Sequence, residues 1–135
     1  MTDLFQYPPK ILVAFGEAIS GNKEILEWLL QNGYPEIAAL SYSIRGSDEA
    51  FSWLMNNGHP HLAALDSAID EKPNAYLWLK ENNFLNHIVF ADACQNKQEA
   101  AAWFVKNNLA YLYRIAQNIK KLRDSQIFDY HKLHF

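Results

Sequence analysis

The stretch Gly21-Asn22-Lys23-Glu24-Ile25-Leu26-Glu27-Trp28-Leu29-Leu30-Gln31-Asn32-Gly33 decides the fold, because its pattern returns 25 residues later. There it reads Gly46-Ser47-Asp48-Glu49-Ala50-Phe51-Ser52-Trp53-Leu54-Met55-Asn56-Asn57-Gly58. The four tryptophans, Trp28, Trp53, Trp78 and Trp103, continue the 25-residue spacing through the chain. Fixed self-similarity at such a period marks a repeat architecture. Other columns fall into line. Asn32, Asn57, Asn82 and Asn107 follow the tryptophans, and Gly33, Gly58, Asn83 and Asn108 follow the asparagines. An apolar pair four apart recurs as Phe15/Ile19, Leu40/Ile44, Leu65/Ile69, Phe90/Cys94 and Ile115/Ile119.

Each row reads as two short helices. The spacing of Ile37, Leu40 and Ile44 predicts a first helix over 35–45, broken at Gly46-Ser47-Asp48. A second helix is predicted over 48–57, with Ala50, Phe51, Trp53 and Leu54 as its apolar face. Asn22 and Ser47 suit its N-cap. Pro73 suits the first helical position, where the missing N–H costs nothing. Glu24, Glu49 and Glu99 complement the dipole in the first turn. The Gly/Gly/Asn/Asn column supplies the left-handed residue that ends such helices. Helices of about ten residues are marginal alone, so stacking pair on pair is needed. The expected fold is therefore all-α: an α-α solenoid of four to five 25-residue helix-turn-helix repeats in a single domain, 1–135. The rows run approximately 11–35, 36–60, 61–85 and 86–110, with a divergent capping repeat at 111–135. The tryptophans are expected to form a buried spine. Ile127, Phe128, Tyr130, Leu133 and Phe135 are expected to fold over the last tryptophan row.

Composition agrees. With 135 residues, 50% hydrophobic and 20% charged, the chain is one domain's length with ample core material. The lone Cys94 excludes an internal disulfide and any multi-cysteine metal site. Residues 1–9 do not read as a signal peptide, and no apolar run approaches a membrane span, so a cytoplasmic location is expected.

The turn, second helix and closing glycine at 21–33 and 46–58 resemble those of ankyrin-type repeats. The row is 25 residues rather than about 33, so the resemblance is to a form without the β-turn finger. The first helices also lack that family's Thr-Pro-Leu-His signature. What the resemblance implies is a protein-interaction scaffold with a concave face lined by first helices.

Catalytic, metal and cofactor readings are weak throughout. Gly16–Lys23 only approximates a phosphate-binding loop, with Asn between Gly and Lys and Glu24 in the magnesium-holding position. His59, His61, His131 and His134 have no carboxylate or cysteine at ligand spacing. Cys94 has no base partner. Asp66, Asp70 and Asp92 could pair across rows as acid and base, but a solvated face explains them as well. No enzymatic activity, cofactor or metal is expected.

Opposite the core pairs lies a stripe read as exposed. It comprises Val13, Glu17 and Ser20; Ala38, Tyr42 and Arg45; Ala63, Ser67 and Asp70; Ile88, Asp92 and Gln95; and Tyr113, Gln117 and Lys120. Its polar and aromatic members, Glu17, Tyr42, Arg45, Ser67, Asp70, Asp92, Gln95, Tyr113, Gln117 and Lys120, are the candidate partner-binding residues. Tyr and Arg are types that anchor interfaces. The expected function is a non-catalytic scaffold for a protein or peptide. The alternative rests on charge: residues 111–135 carry five basic residues and two acids, a net +3, while the remainder nets −6. That basic end could hold nucleic acid or another anionic partner, although the overall net charge of −3 disfavours a dedicated nucleic-acid binder.

Overall fold

The computed structural model describes the backbone of residues 1–133 and the side chains of residues 1–126. Every element among them is helical. A 3-10 turn at Leu4–Gln6 precedes nine helices: α1 (Pro9–Ile19), α2 (Lys23–Gln31), α3 (Pro35–Ile44), α4 (Asp48–Asn56), α5 (Pro60–Ile69), α6 (Pro73–Glu81), α7 (Leu85–Cys94), α8 (Gln98–Lys106) and α9 (Ala110–Leu133). Starts recur every 25 residues, at 35, 60, 85 and 110 for first helices and at 23, 48, 73 and 98 for second helices.

Local chemistry sets these boundaries. Asn22 Oδ1 accepts the Ile25 N–H, and Ser47 Oγ accepts the Ala50 N–H, as N-caps. Pro9, Pro35, Pro60 and Pro73 each occupy a first helical position. The second helices end alike. The side-chain Nδ2 of Asn32, Asn57, Asn82 and Asn107 donates to the carbonyl of the preceding tryptophan at 2.7–2.8 Å. The next residue is left-handed, with φ of 86° at Gly33, 84° at Gly58, 64° at Asn83 and 57° at Asn108. The N–H that follows returns to the last turn, as in Tyr34 to Leu29 and His59 to Leu54, satisfying carbonyls that would otherwise be orphaned. A second left-handed column, not foreseen, ends the first helices at Gly21, Gly46, Glu71 and Asn96.

The first helices pack in sequence, α1 on α3, α3 on α5, α5 on α7 and α7 on α9, and α9 packs back on α1. They form a closed inner ring. All five apolar pairs lie in the core, from Phe15/Ile19 to Ile115/Ile119. In α3, seven of ten residues are buried, as expected of a helix surrounded on all sides. In α4 only Leu54 is fully buried. Each second helix rests in the cleft between the two first helices flanking it.

Three expectations need correction. The stripe opposite the core pairs is not uniformly exposed: Ala38 and Ala63 are fully buried, because ring closure places neighbours on that side too. The tryptophans are not a buried spine. They are half-buried, while their chain neighbours Leu29, Leu54, Leu79 and Phe104 are the fully buried column. The last row has no break between two helices; α9 runs on as one helix of 24 residues. The expected fold-back of Ile127, Phe128, Tyr130, Leu133 and Phe135, and the pair His131 and His134, lie outside the residues whose side chains are described.

Glu71 holds a φ of 62° where Gly21 and Gly46 stand in earlier rows. A left-handed L-residue costs about 1–2 kcal/mol. Glu71→Gly is therefore expected to raise stability by about 1 kcal/mol, read as a rightward shift of the urea midpoint.

Candidate interaction grooves

The ring geometry creates the surface features. Five helices at interaxial distances of about 9 Å enclose a ring of roughly 8 Å radius, so helices layered outside it at about twice that radius stand apart. Grooves open between consecutive second helices, floored by the first helix between them. The groove between α2 and α4 has a volume of about 480 Å³ and is lined by Leu30, Pro35, Ala39, Tyr42, Ser47, Glu49, Ala50 and Trp53. The groove between α4 and α6 has about 460 Å³ and includes Met55, Pro60, Ala64, Ser67, Lys72, Asn74, Ala75 and Trp78. Each residue of the second set stands 25 positions after its counterpart in the first. A third hollow, lined by Asp92, Lys97, Gln98, Glu99 and Ala100, occupies the same place in the next row. Floors are small and apolar, walls carry half-exposed Leu30 and Met55, and one polar position varies from Tyr42 to Ser67 to Asp92.

The tryptophan walls are held by stacking. Trp28 lies on Tyr34, Trp53 on His59 and Trp78 on Phe84, with ring planes within 12° of parallel and centroids 5.8–6.4 Å apart. Such pairs add about 1 kcal/mol beyond area burial. The column Tyr34, His59 and Phe84, six residues after each tryptophan, carried no signal in the sequence beyond its spacing.

The ten candidate residues do not form one strip. Tyr42, Ser67 and Asp92 lie in the three successive grooves. Glu17 edges a separate hollow at the α1–α9 seam, beside Ser20, Arg114 and Asn118. Arg45 and Gln95 reach back to the preceding first helix: Arg45 Nη1 donates to the Ile19 carbonyl at 2.8 Å, and Gln95 Nε2 to the Ala68 carbonyl at 2.9 Å. They satisfy helix-end carbonyls, and Arg45 places a cation where the dipole favours one. On α9, Tyr113 is half-buried and Gln117 exposed, while Lys120 pairs with Asp124 at 2.7 Å.

The acids once read as a potential acid/base strip are each engaged elsewhere. Asp66 is buried; it accepts from Ser43 Oγ and from Arg123 Nη2, the latter at 2.5 Å. Burial pushes its carboxyl above the usual range, and the Ser43 hydroxyl and Arg123 guanidinium pull it back. Arg123 Nη1 also forks onto Asp70, at 2.8 and 3.0 Å. Asp92 accepts from Tyr76 Oη and Lys97 Nζ, both at 3.0 Å. Burial drives the Cys94 thiol far above its ordinary value, away from thiolate chemistry. Within the basic segment, Arg123 and Lys120 already face acids of this chain. Among the described residues, no three His, Cys, Asp or Glu side chains converge as metal ligands, and no helix is long and apolar enough to cross a membrane.

Comparison with family models, curated proteins and solved structures finds no match.

Arg123 ties α9 to α5 through a buried carboxylate. Removing one partner of such a pair leaves an uncompensated charge and costs about 3 kcal/mol. Arg123→Ala should show that loss in denaturant melts, and adding Asp66→Asn should recover part of it. A wild-type melt for Arg123→Ala would mean that this network does not anchor α9.

Proposed function

We propose that this chain is a short α-α repeat module that acts as a non-catalytic scaffold, taking an apolar segment of a partner protein into the grooves between its second helices. One observation carries the reading: the same apolar groove, with a constant floor and one variable polar position, recurs at 25-residue intervals. A repeated frame with a changing side chain at one place is suited to reading successive positions of a partner. Exposed Leu30, Met55 and Val105 occupy one column of the second helices. Apolar side chains left at the rim of a concavity supply the driving force of an interface. The inner ring buries much of the first helices, which moves the expected surface outward. Tyr42 and Ser67 keep their places in it, as groove floor residues. The ankyrin-type likeness of the turn and second helix points the same way, toward protein interaction.

The test uses changes at exposed positions. Leu30→Glu with Met55→Glu alters two half-exposed groove walls and is expected to leave the melting midpoint within about 0.5 kcal/mol of wild type. A protein captured from source lysate by wild type should be lost by this variant and retained by Arg114→Glu with Lys121→Glu. Equal capture by wild type and the groove variant would overturn the reading. Loss confined to the charge-reversed variant, with steep salt dependence, would favour an anionic partner on α9.

A further inference from the structure

One end of the ring is closed by the chain's own N-terminus, and the contacts there are of an unusual kind. Leu4 is fully buried. Phe5 packs against Phe90, Trp103 and Phe104, with centroids 5.8–6.3 Å away. Asp3 Oδ1 accepts the Phe5 N–H, and Gln6 Oε1 accepts the Asp3 N–H, which folds the segment into a compact turn. Two backbone groups of this segment are held by histidines that are themselves fully buried. His61 Nε2 meets the Thr2 carbonyl at 2.7 Å, and His87 Nε2 accepts the Leu4 N–H at 3.0 Å.

These partners fix the tautomers. A carbonyl only accepts, so His61 carries its proton on Nε2. An amide N–H only donates, so neutral His87 carries its proton on Nδ1. Nδ1 of each ring is buried without a hydrogen-bond partner. The two rings stack on each other with centroids 5.9 Å apart, and both stack on Phe84.

We propose that this N-terminal segment is a proton-released plug: protonation of His87 and His61 in the weakly acidic range frees residues 1–7 while the helical ring stays folded. The steric logic is local. A proton added to His87 Nε2 points at the Leu4 N–H, so an accepted hydrogen bond becomes two opposed donors. A proton added to His61 Nδ1 places a charge where no acceptor waits. Two cations would then stack within 6 Å. Opening relieves all three by giving both rings to water, and it uncovers the aromatic floor of Phe90 and Phe104.

The groups facing the pair are few. His59, at the start of α5, is 6.0 Å from His61 by ring centroids and adds repulsion when charged. The terminal ammonium of Met1 also disfavours charge on His61. Asp3, on the plug itself, places Oδ1 3.6 Å from His87 Nε2 and favours its charge. Burial outweighs that attraction, and both histidines stay below the ordinary value of 6.5. The sign follows. A histidine depressed in the closed state favours closure fully above pH 6.5 and progressively less below it.

The experiment follows amide exchange by NMR on the full chain from about pH 7 to about pH 5. The protection factor of Leu4 is compared with that of Leu40 in the centre of α3. For each histidine that regains an ordinary pKa on opening, Leu4 protection should fall about 30-fold at pH 5, while Leu40 holds. In His87→Gln the side-chain oxygen can still accept from Leu4 but does not titrate, so the loss should shrink by about that factor. Leu4 and Leu40 declining together would overturn the proposal, as would an equal loss in His87→Gln. Should that variant not fold, the ¹⁵N shifts of His87 in the wild-type protein decide. The Nδ1–H tautomer at pH 7 supports the mechanism, and the Nε2–H tautomer refutes it.

Discussion

The approach of α1 to α9 is the contact on which the rest of the structure depends. At Gly16 the two helices come so close that a Cβ would stand 3.0 Å from Ile115 Cγ1 and 3.2 Å from Cδ1. Glycine inside a helix costs about 0.5–1 kcal/mol relative to alanine, and here it lets the first and last inner helices meet. Once they meet, the inner helices have neighbours on both flanks and lose their open face. That explains why α3 and α5 bury residues all round, including Ala38 and Ala63, and why the second helices are left splayed outside with grooves between them.

A closed ring has two ends, and the chain closes both with material outside the repeating unit. The N-terminal turn fills the end where the first helices begin, through His61, His87 and the Tyr7–Glu36 hydrogen bond. Beyond the other end, the overrun of α9 reaches back through Arg123 to Asp66 and Asp70 and through Gln126 to the Arg45 carbonyl. The two closures differ chemically. One rests on neutral histidines and backbone groups, the other on a buried carboxylate and a guanidinium. A fall in pH acts against the first by charging the histidines. The second keeps its guanidinium throughout that range, so the two ends can respond independently.

Much of the fold was legible because it is decided by chemistry within a few residues. The helix boundaries follow from Asn22, Ser47, Pro73 and the Gly33/Gly58/Asn83/Asn108 column, all acting within one turn. The core pairs were legible from helical spacing alone. What could not be read were contacts across long stretches of sequence. Arg123 meets Asp66 across 57 positions, and Leu4 meets His87 across 83. Neither pair carries a local pattern. The tryptophans misled for a related reason. Their regular spacing is what a buried spine would show, yet equally regular spacing arises in groove walls, and only the leucine beside each Trp is fully enclosed. The candidate site was half legible. Tyr42, Ser67 and Asp92 mark one column of the grooves, whereas Arg45 and Gln95, chosen as binding types, are spent on neighbouring helix ends.

The account stands or falls on ring closure, since an open stack of the same helix pairs would restore a concave inner face and remove the geometric reason for the outer grooves. The most direct measurement is a nuclear Overhauser contact between the Gly16 Hα protons and the Ile115 methyl groups in the isotopically labelled protein. The structure requires a strong cross-peak. Its absence, in a sample whose Leu40–Ile44 and Leu65–Ile69 contacts are all observed, would contradict the closed ring.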